Sequence, residues 1–302
     1  MGRHVELAFL AFLQSSIVAL CAGGCAPDAD IEESASGEED VMEAPSALSG
    51  GSDPLQLSAL SASANDGDAP ANAGQLFVDA FDYPKGLITN EYAYWNASHP
   101  DAVHSPLWEM TSGSLFARSG AGWSGKPDGK SPDADSSPYN DSAVFRLTTK
   151  RSDFGDVAVS FKLRNNSLTS TSRTPAVSWD GIHVFLRYQT QYSLYYASIN
   201  RRDNTSVLKK KVPGGDENGG TYYVLGSSAS HTVPYGAWQN VEARIRTKSN
   251  GSVTIQLFAD GTPVVSATDS GVGGPPITSA GKVGIRGDNC NFDVDDFTVS
   301  QL

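Results

Sequence analysis

From about residue 76 to the C-terminus, apolar and polar residues alternate in short runs separated by Gly, Asn, Asp and Pro. The runs are rich in Val, Ile, Phe, Tyr and Thr, which suit a pleated, half-buried strand. Asn250-Gly251 and Asp260-Gly261 stand between runs, where tight hairpins need residues of positive φ. The pattern predicts twelve strands: Leu76–Phe81, Ala143–Thr149, Val157–Arg164, Gly181–Gln189, Leu194–Arg202, Ser206–Val212, Thr221–Leu225, Trp238–Thr247, Ser252–Phe258, Pro263–Thr268, Gly281–Arg286 and Asp293–Val299.

The same region shows no helical stretch longer than a turn or two and no internal repeat. One domain of this length with about twelve strands predicts an all-β fold in which two antiparallel sheets form a sandwich. The domain, residues 76–302, is long enough to bury a sizeable core.

The N-terminus has a different pattern. A basic start at Arg3 and His4 precedes an interrupted apolar stretch that ends in small residues directly before Cys25. This stretch is too short for a transmembrane helix and is typical of an export signal. It resembles a bacterial lipoprotein signal, residues 1–25, in which Cys25 is lipidated; an ordinary secretory signal is the alternative. The expected protein is exported, held on a bacterial membrane by the lipid alone, and faces outside the cytoplasm.

Residues 26–75 contain eleven acidic residues and neither Lys, Arg nor an aromatic residue. Such a segment buries too little apolar area to offset its chain entropy, so we expect a disordered acidic linker. The formal net charge of the whole chain is −12, and almost all of it belongs to residues 1–75. The folded domain is close to neutral, so the acidity of the chain says nothing about the ligand of the domain.

Three successive predicted strands carry the candidate chemistry, because each has an apolar side and a polar side. If the strands are neighbours, one basic, hydrogen-bonding surface results, and a slip of one residue would invert it. The polar sides hold Lys162, Arg164, His183, Arg187, Gln189, Tyr196, Asn200 and Arg202, and Lys209 to Lys211 follow on the next run.

Such a surface on a neutral domain favours an anionic polymer, and for an exported protein an acidic polysaccharide rather than nucleic acid. β-Elimination of a uronate polymer needs a neutralised carboxylate, a base and an acid. Arg187, Gln189 and Asn200 are the candidates for neutralising the carboxylate, and His183 and Tyr196 for base and acid. Lys162, Arg164, Arg202, Lys209 and Lys211 are candidate substrate-binding residues. No cofactor is required for this chemistry, and we expect a monomer.

The opening LFVDAFDYP, the hairpin Val253–Val265 and the ending GKVGIRGDNCNFDVDDFTV resemble laminin G-like and concanavalin A-like jelly rolls. That resemblance implies the fold rather than an activity. DGIHVFLRYQ and LYYASINRRD are similar in residue type to jelly-roll alginate-lyase-type enzymes, which implies a lyase site on the concave sheet. The strings Gln-Ile-His and Tyr-Phe-Lys-Ala-Gly of those enzymes are absent. Related sandwiches also imply a structural calcium ion, here on Asp79 and Asp296 of the first and last strands.

Other interpretations stay open. His183 is also explained as an ordinary surface histidine, Tyr196 as a packing aromatic, and Arg187 and Arg202 as partners of nearby carboxylates. Lysines such as Lys209 also protect edge strands. The protein is then a non-catalytic, lectin-like module. A glycoside hydrolase would use one of Glu91, Glu109 and Glu217 as its acid, although no carboxylate pair is suitably spaced and the Glu-x-Asp-x-x-Glu motif of jelly-roll glucanases is absent.

Overall fold

The computed structural model describes residues 74–125, 143–172, 174–229 and 231–302. The predicted signal, with Cys25, and nearly all of the predicted linker lie outside these residues. Within the described ranges, one four-residue helix, α1 (Tyr92–Trp95), accompanies sixteen strands. The strands are β1 (Gln75–Asp79), β2 (Gly86–Asn90), β3 (Trp108–Ser112), β4 (Ser114–Ala117), β5 (Gly122–Trp123), β6 (Val144–Thr149), β7 (Val157–Leu168), β8 (Gly181–Thr190), β9 (Ser193–Ile199), β10 (Thr205–Glu217), β11 (Gly220–Ala229), β12 (Gln239–Thr247), β13 (Val253–Ala259), β14 (Thr262–Asp269), β15 (Lys282–Asp288) and β16 (Cys290–Gln301).

The strands form two antiparallel sheets. The nine-stranded sheet has the order β14-β13-β12-β7-β16-β5-β4-β2, with β1 paired to β16 as well. The seven-stranded sheet has the order β11-β10-β9-β8-β15-β6-β3. The domain is therefore an all-β, two-sheet sandwich of the jelly-roll kind, as the alternation predicts.

The core fills the space between the sheets, where each strand turns alternate side chains inward. Phe161 of β7 and Phe297 of β16 stack there with ring centroids 5.7 Å apart. Trp108 of β3 packs against Phe297 from the other sheet at 5.1 Å. The indole N–H of Trp108 donates to Asp79 over 2.6 Å, so its one polar atom is satisfied inside the core.

All twelve predicted strands are present, with ends that differ by a few residues. The Asp260-Gly261 turn between β13 and β14 has positive φ at both residues, 50° and 76°, as a tight hairpin of this kind requires. The pattern did not predict β2, β3, β4 and β5, which have two to five residues each and show little alternation.

One prediction about neighbours is wrong. The polar surface was expected to run across the three strands at 157–164, 181–189 and 194–202, but β7 belongs to the nine-stranded sheet and β8 and β9 to the other. Period-two alternation fixes which residues of a strand share a side, and it does not fix which strands are adjacent.

No helix in the described ranges is long and apolar enough to cross a membrane.

Candidate functional site

The candidate site lies on the outer face of the seven-stranded sheet. Arg146 of β6 pairs in register with Arg286 of β15, Arg286 with His183 of β8, and His183 with Ser198 of β9. These four residues therefore stand side by side, about 4.8 Å apart from strand to strand. We call this surface, with Tyr196, Arg201 and Asp288, the histidine face.

Both ring nitrogens of His183 are hydrogen bonded. Nδ1 lies 2.7 Å from Oγ of Ser198, and Nε2 lies 3.0 Å from Oδ2 of Asp288. Asp288 also accepts from Nε of Arg286, at 2.9 Å to each carboxylate oxygen. An ionised carboxylate only accepts, so Nε2 carries the proton and Nδ1 accepts from the hydroxyl of Ser198.

Burial and charge act on this pair in opposite directions. Burial lowers the pKa of His183, and the positive charges of Arg286 and Arg201 lower it further, whereas the hydrogen bond and charge of Asp288 offset only part of the effect. Burial would raise the pKa of Asp288, but the charge of Arg286 and the hydrogen bond of His183 outweigh it and hold that pKa well below its usual range. His183 is therefore neutral and Asp288 ionised near pH 7.

Tyr196 lies directly beside His183, with the ring centroids 5.2 Å apart and the planes at 69°. Phe185 and Leu194 pack with Tyr196 in a small apolar cluster separate from the main core. The exposed fractions are 3% for His183 and 6% for Tyr196. The imidazole and the phenol thus share a sheltered environment of low dielectric, where their polar interactions are strengthened.

A reversal of the backbone brings Arg201 onto this face. Asn200, at the end of β9, has φ 55°, and the alternation of side chains is broken there. Gly181 makes room for the crossing, since a Cβ on it would lie 2.8 Å from Cα of Arg201. Arg201 binds Asp203 through Nε and Nη2, at 3.2 and 2.8 Å. Its buried Nη1 has no hydrogen-bond partner within the described part of the chain.

Aromatic side chains stand along the β3 side of the face. Burial raises the pKa of Tyr188 to about 12, an effect that the charge of Arg146 opposes and those of Tyr94 and Glu109 increase. Tyr94 and Trp95 of α1 are both exposed, with ring centroids 4.7 Å apart. The indole N–H of Trp95 donates to the carbonyl of Thr111 on the edge strand β3. These rings offer apolar surface beside the arginines.

On the β10 side, Lys209 and Lys211 are on the histidine face as predicted, each within cation–π range of tyrosine rings. Nζ of Lys209 is 5.9 Å from the ring centroid of Tyr196 and 5.4 Å from that of Tyr222. Nζ of Lys211 is 4.6 Å from Tyr222 and 5.9 Å from Tyr192. Both lysines are buried.

The expectation that Arg187 shares this face is wrong. Arg187 has φ 46°, and the pairing of β8 shifts register on both of its sides, which marks a β-bulge. The bulge turns the side chain inward, where it is fully buried and donates to Asp156 over 2.6 Å and to Thr247 over 2.8 Å. Gln189, beyond the bulge, donates to backbone carbonyls, including that of Ala280 at 2.9 Å.

Asn200 is also displaced, because its positive φ turns it away from His183. Its amide donates to Gln239 of the nine-stranded sheet over 3.2 Å and accepts from His231 over 2.8 Å. Arg202 binds Asp180 at 2.9 Å, which is the ordinary ion pair that the sequence left open. Neither residue contributes to the histidine face.

Lys162 and Arg164 lie on the outer face of the other sheet, since β7 belongs there. Lys162 pairs with Asp296 at 2.6 Å, and Arg164 with Asp293 at 3.0 Å. The prediction that they join a surface with His183 is wrong, because β7 and β8 belong to different sheets.

The predicted calcium ligands do not converge. Asp79 is buried and already accepts hydrogen bonds from the backbone N–H of Phe81, the hydroxyl of Tyr83 and the indole of Trp108. Asp296 points to solvent and pairs with Lys162. Among the described residues, no group of three His, Cys, Asp or Glu side chains could hold a metal ion.

Five residues of the histidine face were not predicted as site residues: Arg146, Ser198, Arg201, Arg286 and Asp288. Arg286 and Asp288 could have been predicted from the sequence. Gly284, Arg286 and Asp288 follow one another at period two in GKVGIRGD, so one side of that strand is charged. The placement of β15 next to β8 has no local signal, because the two strands are about a hundred residues apart in sequence.

No protein-family model matches the chain, and no curated protein is significantly similar to it in sequence. Among solved structures, the domain is similar to a Bacillus subtilis protein of unknown function with a galectin-like fold, with a TM-score of 0.47 and 10% identity over 75% of this chain and 96% of that one. It is also similar to LamAcat from Zobellia galactanivorans, with a TM-score of 0.48 and 15% identity over 75% and 97%. For the alginate lyase Aly36B the values are 0.43 and 10% over 74% and 95%.

These similarities are all distant. The assignment to the jelly-roll class is based on the strand order and pairing of the domain itself.

Proposed function

We propose that the protein binds an acidic polysaccharide on the histidine face and cleaves it by β-elimination. One observation carries the proposal: arginines from three elements surround a buried histidine and tyrosine on one side of a sheet. Two of these arginines, Arg146 through Nε and Arg201 through Nη1, bury an N–H that has no acceptor within the described ranges. A buried donor without a partner costs free energy, and an anionic ligand would supply the acceptor.

The residues fit the three needs of the reaction. The guanidinium groups of Arg286 and Arg146 neutralise the uronate carboxylate, which makes the proton on C5 more acidic. Neutral His183 takes that proton on Nδ1 once the hydroxyl of Ser198 rotates away. The C4–O bond breaks, a C4=C5 double bond forms, and the hydroxyl of Tyr196 protonates the leaving oxygen. Asp288 stabilises the imidazolium through Nε2.

Non-catalytic binding is the second candidate, and a specific observation favours it. Both nitrogens of His183 are already satisfied, and the ring is only 3% exposed. A satisfied, sheltered histidine also serves as a structural part of a lectin-like face.

The candidate acids of a hydrolase have structural partners. Glu91 is buried and accepts from the backbone N–H of Gly113 over 2.7 Å, and Glu109 pairs with Lys282 at 2.5 Å.

The test is incubation of the purified protein with polygalacturonate, alginate and hyaluronate while the ultraviolet absorbance of unsaturated chain ends is followed. We expect absorbance to rise with at least one polymer. We also expect Tyr196→Phe to lower the rate about 100-fold, as loss of a proton-transfer group does. Lys162→Ala, on the opposite side of the sandwich, is the matched control and should keep the rate.

Retardation of a polymer in an affinity gel without any rise in absorbance would replace the lyase by the binding module. New reducing ends without absorbance would indicate a hydrolase. If no acidic polymer is either retarded or cleaved, both candidates fail.

A further inference from the structure

A second ordered group of aromatic and charged residues lies on the outer face of the nine-stranded sheet. In register, Phe116 of β4 pairs with Trp123 of β5, Trp123 with Asp293 of β16, and Asp293 with Arg164 of β7. Gln239 pairs with Leu163, so the preceding residue, Trp238, lies beside Arg164. We call the group formed by Trp123, Asp293, Arg164, Trp238 and the adjacent Arg118 the tryptophan row.

Asp293 organises the row. Its carboxylate is completely buried and accepts from Nη2 of Arg118 at 2.7 Å, from Nη2 of Arg164 at 3.0 Å and from Nδ2 of Asn166 at 2.7 Å. Asn291 accepts from the indole N–H of Trp123 at 2.9 Å. The row is thus held by hydrogen bonds that leave its members little freedom to reorient.

Each arginine is fixed between Asp293 and an indole. Cζ of Arg118 lies 4.0 Å from the ring centroid of Trp123, and Cζ of Arg164 lies 4.6 Å from that of Trp238. Stacking on an indole adds a cation–π attraction and holds the guanidinium plane in place. These long side chains are therefore already ordered in the folded protein, so a ligand that binds them causes little further loss of side-chain entropy.

The row is nonetheless open to solvent. The side chains of Arg118 and Arg164 are 35% and 30% exposed, and Trp238 is 41% exposed. Trp123 and Trp238 are three strand positions apart, roughly 14 Å at the usual strand spacing. The exposed indole of Trp238 therefore lies beside an ordered guanidinium group, where a ligand can reach both.

The charges of the row define the ligand. Two guanidinium groups bind one carboxylate, and the carboxylate is buried beneath them, so the row itself carries one net positive charge. Guanidinium edges bind carboxylate or sulfate oxygens, and an indole face covers the apolar face of a pyranose ring. An extended chain that alternates sugar rings with anionic groups satisfies both requirements along the row.

We propose that the tryptophan row is a second binding site for an anionic polysaccharide, on the opposite side of the sandwich from the histidine face. It needs no chemistry from the histidine face and stands whether or not that face is catalytic. A protein with both sites would hold one polymer, or two, on its two outer faces, and the joint binding would be stronger than either alone.

The experiment measures binding of dextran sulfate and polygalacturonate to the purified protein by tryptophan fluorescence and by retardation in affinity gels. Trp238→Phe removes the exposed indole and Arg118→Gln removes one guanidinium while Arg164 still covers Asp293. Tyr235→Phe is the matched control, because Tyr235 lies three residues from Trp238 and is 51% exposed. Uncharged dextran and single-stranded poly(dT) are compared as ligands.

We expect at least one of the acidic polymers to change the tryptophan emission, and the two polymers together tell a sulfate from a carboxylate preference. Trp238→Phe should remove the part of that change that arises at Trp238, and both row variants should weaken binding roughly tenfold. Tyr235→Phe should bind as the unchanged protein does. Equal binding by Trp238→Phe and the unchanged protein would overturn the proposal, as would preferential binding of uncharged dextran or of poly(dT).

Discussion

The two outer faces of the sandwich share one arrangement of side chains around a buried aspartate, and we propose a different function for each face. Each has a buried aspartate that binds cationic or imidazole side chains: Asp288 on the histidine face, and Asp293 on the tryptophan row. The two aspartates are only five residues apart in sequence. They lie on opposite faces because β15 and β16 belong to different sheets and the chain passes from one sheet to the other at Asn289. The closing segment of the sequence therefore supplies the organising carboxylate of both faces.

The faces differ in the groups that the aspartate binds and in how exposed those groups are. Asp288 binds a neutral imidazole that is 3% exposed and Arg286, whose side chain is 15% exposed, whereas Asp293 binds two guanidinium groups that are 30% and 35% exposed. A sheltered, polar group has the environment in which pKa values shift and proton transfer is tuned. An ordered, exposed cation next to an indole has the environment of a binding surface. This difference is consistent with our proposals of chemistry for the first face and binding for the second.

The largest effect should come from removing the carboxylate of the histidine face. Asp288→Ala leaves Arg286 and Nε2 of His183 without their acceptor in a buried site, which costs about 3–5 kcal/mol when a buried charge loses its partner. We expect that loss in the free energy of unfolding measured with urea at pH 7. A loss below about 1 kcal/mol would show that the site is wetter and less coupled than its geometry indicates.

A smaller effect should appear as pH dependence. Burial lowers the pKa of His183 in the folded state, so the unfolded chain takes up its proton first, at about pH 6.5. Folding stability should therefore fall as pH drops below about 6.5. The lowered pKa of Asp288 adds a second loss, which begins only below about pH 4 as that carboxylate is protonated.

Urea unfolding at pH 7, 6 and 5 checks the first of these losses. His183→Gln should flatten the dependence between pH 7 and 5. His231, whose pKa is also lowered by burial, should account for part of the remaining slope, so His231→Gln is the companion variant. An unchanged slope in His183→Gln would contradict a buried, neutral imidazole.

The smallest effect should come from replacing Asp296, which lies on the outer face of the nine-stranded sheet. The ion pair of Asp296 with Lys162 is half exposed at both ends, and exposed pairs contribute little. Asp296→Ala should shift the melting temperature by about 1 °C or less, as measured by circular dichroism. If Asp296→Ala lowered the melting temperature as much as Asp288→Ala does, the contrast between the two faces would be removed.

The strands and the two-sheet class could be predicted because their signal is local. Ile182, Val184 and Leu186 alternate with His183 and Phe185 along β8, and all are where period two places them. The placement of His183 and Tyr196 on the same side of the sheet followed from the same alternation, since β8 and β9 form a hairpin of adjacent strands.

The prediction failed where the backbone breaks the period. Arg187 and Asn200 have positive φ without being glycine, which is uncommon; Asn is enriched in that conformation, whereas Arg gives no such signal. The bulge at Arg187 turns that side chain into the core. The reversal at Asn200 places Arg201 on the histidine face in place of Asn200. Each changes the composition of the site by one arginine.

What the sequence by itself determined is therefore twelve of the sixteen described strands, the side of the strand on which a residue stands wherever the alternation is unbroken, and the sandwich class, because steric alternation and turn chemistry act over a few residues. Only the tertiary structure decided which strands are neighbours. It placed Lys162 and Arg164 with Asp296 and Asp293 instead of with His183, and it brought Arg286 and Asp288 to the imidazole. The physical reason is that adjacency comes from packing two sheets over a shared core, and the core rewards apolar burial without regard to which polar groups meet outside it.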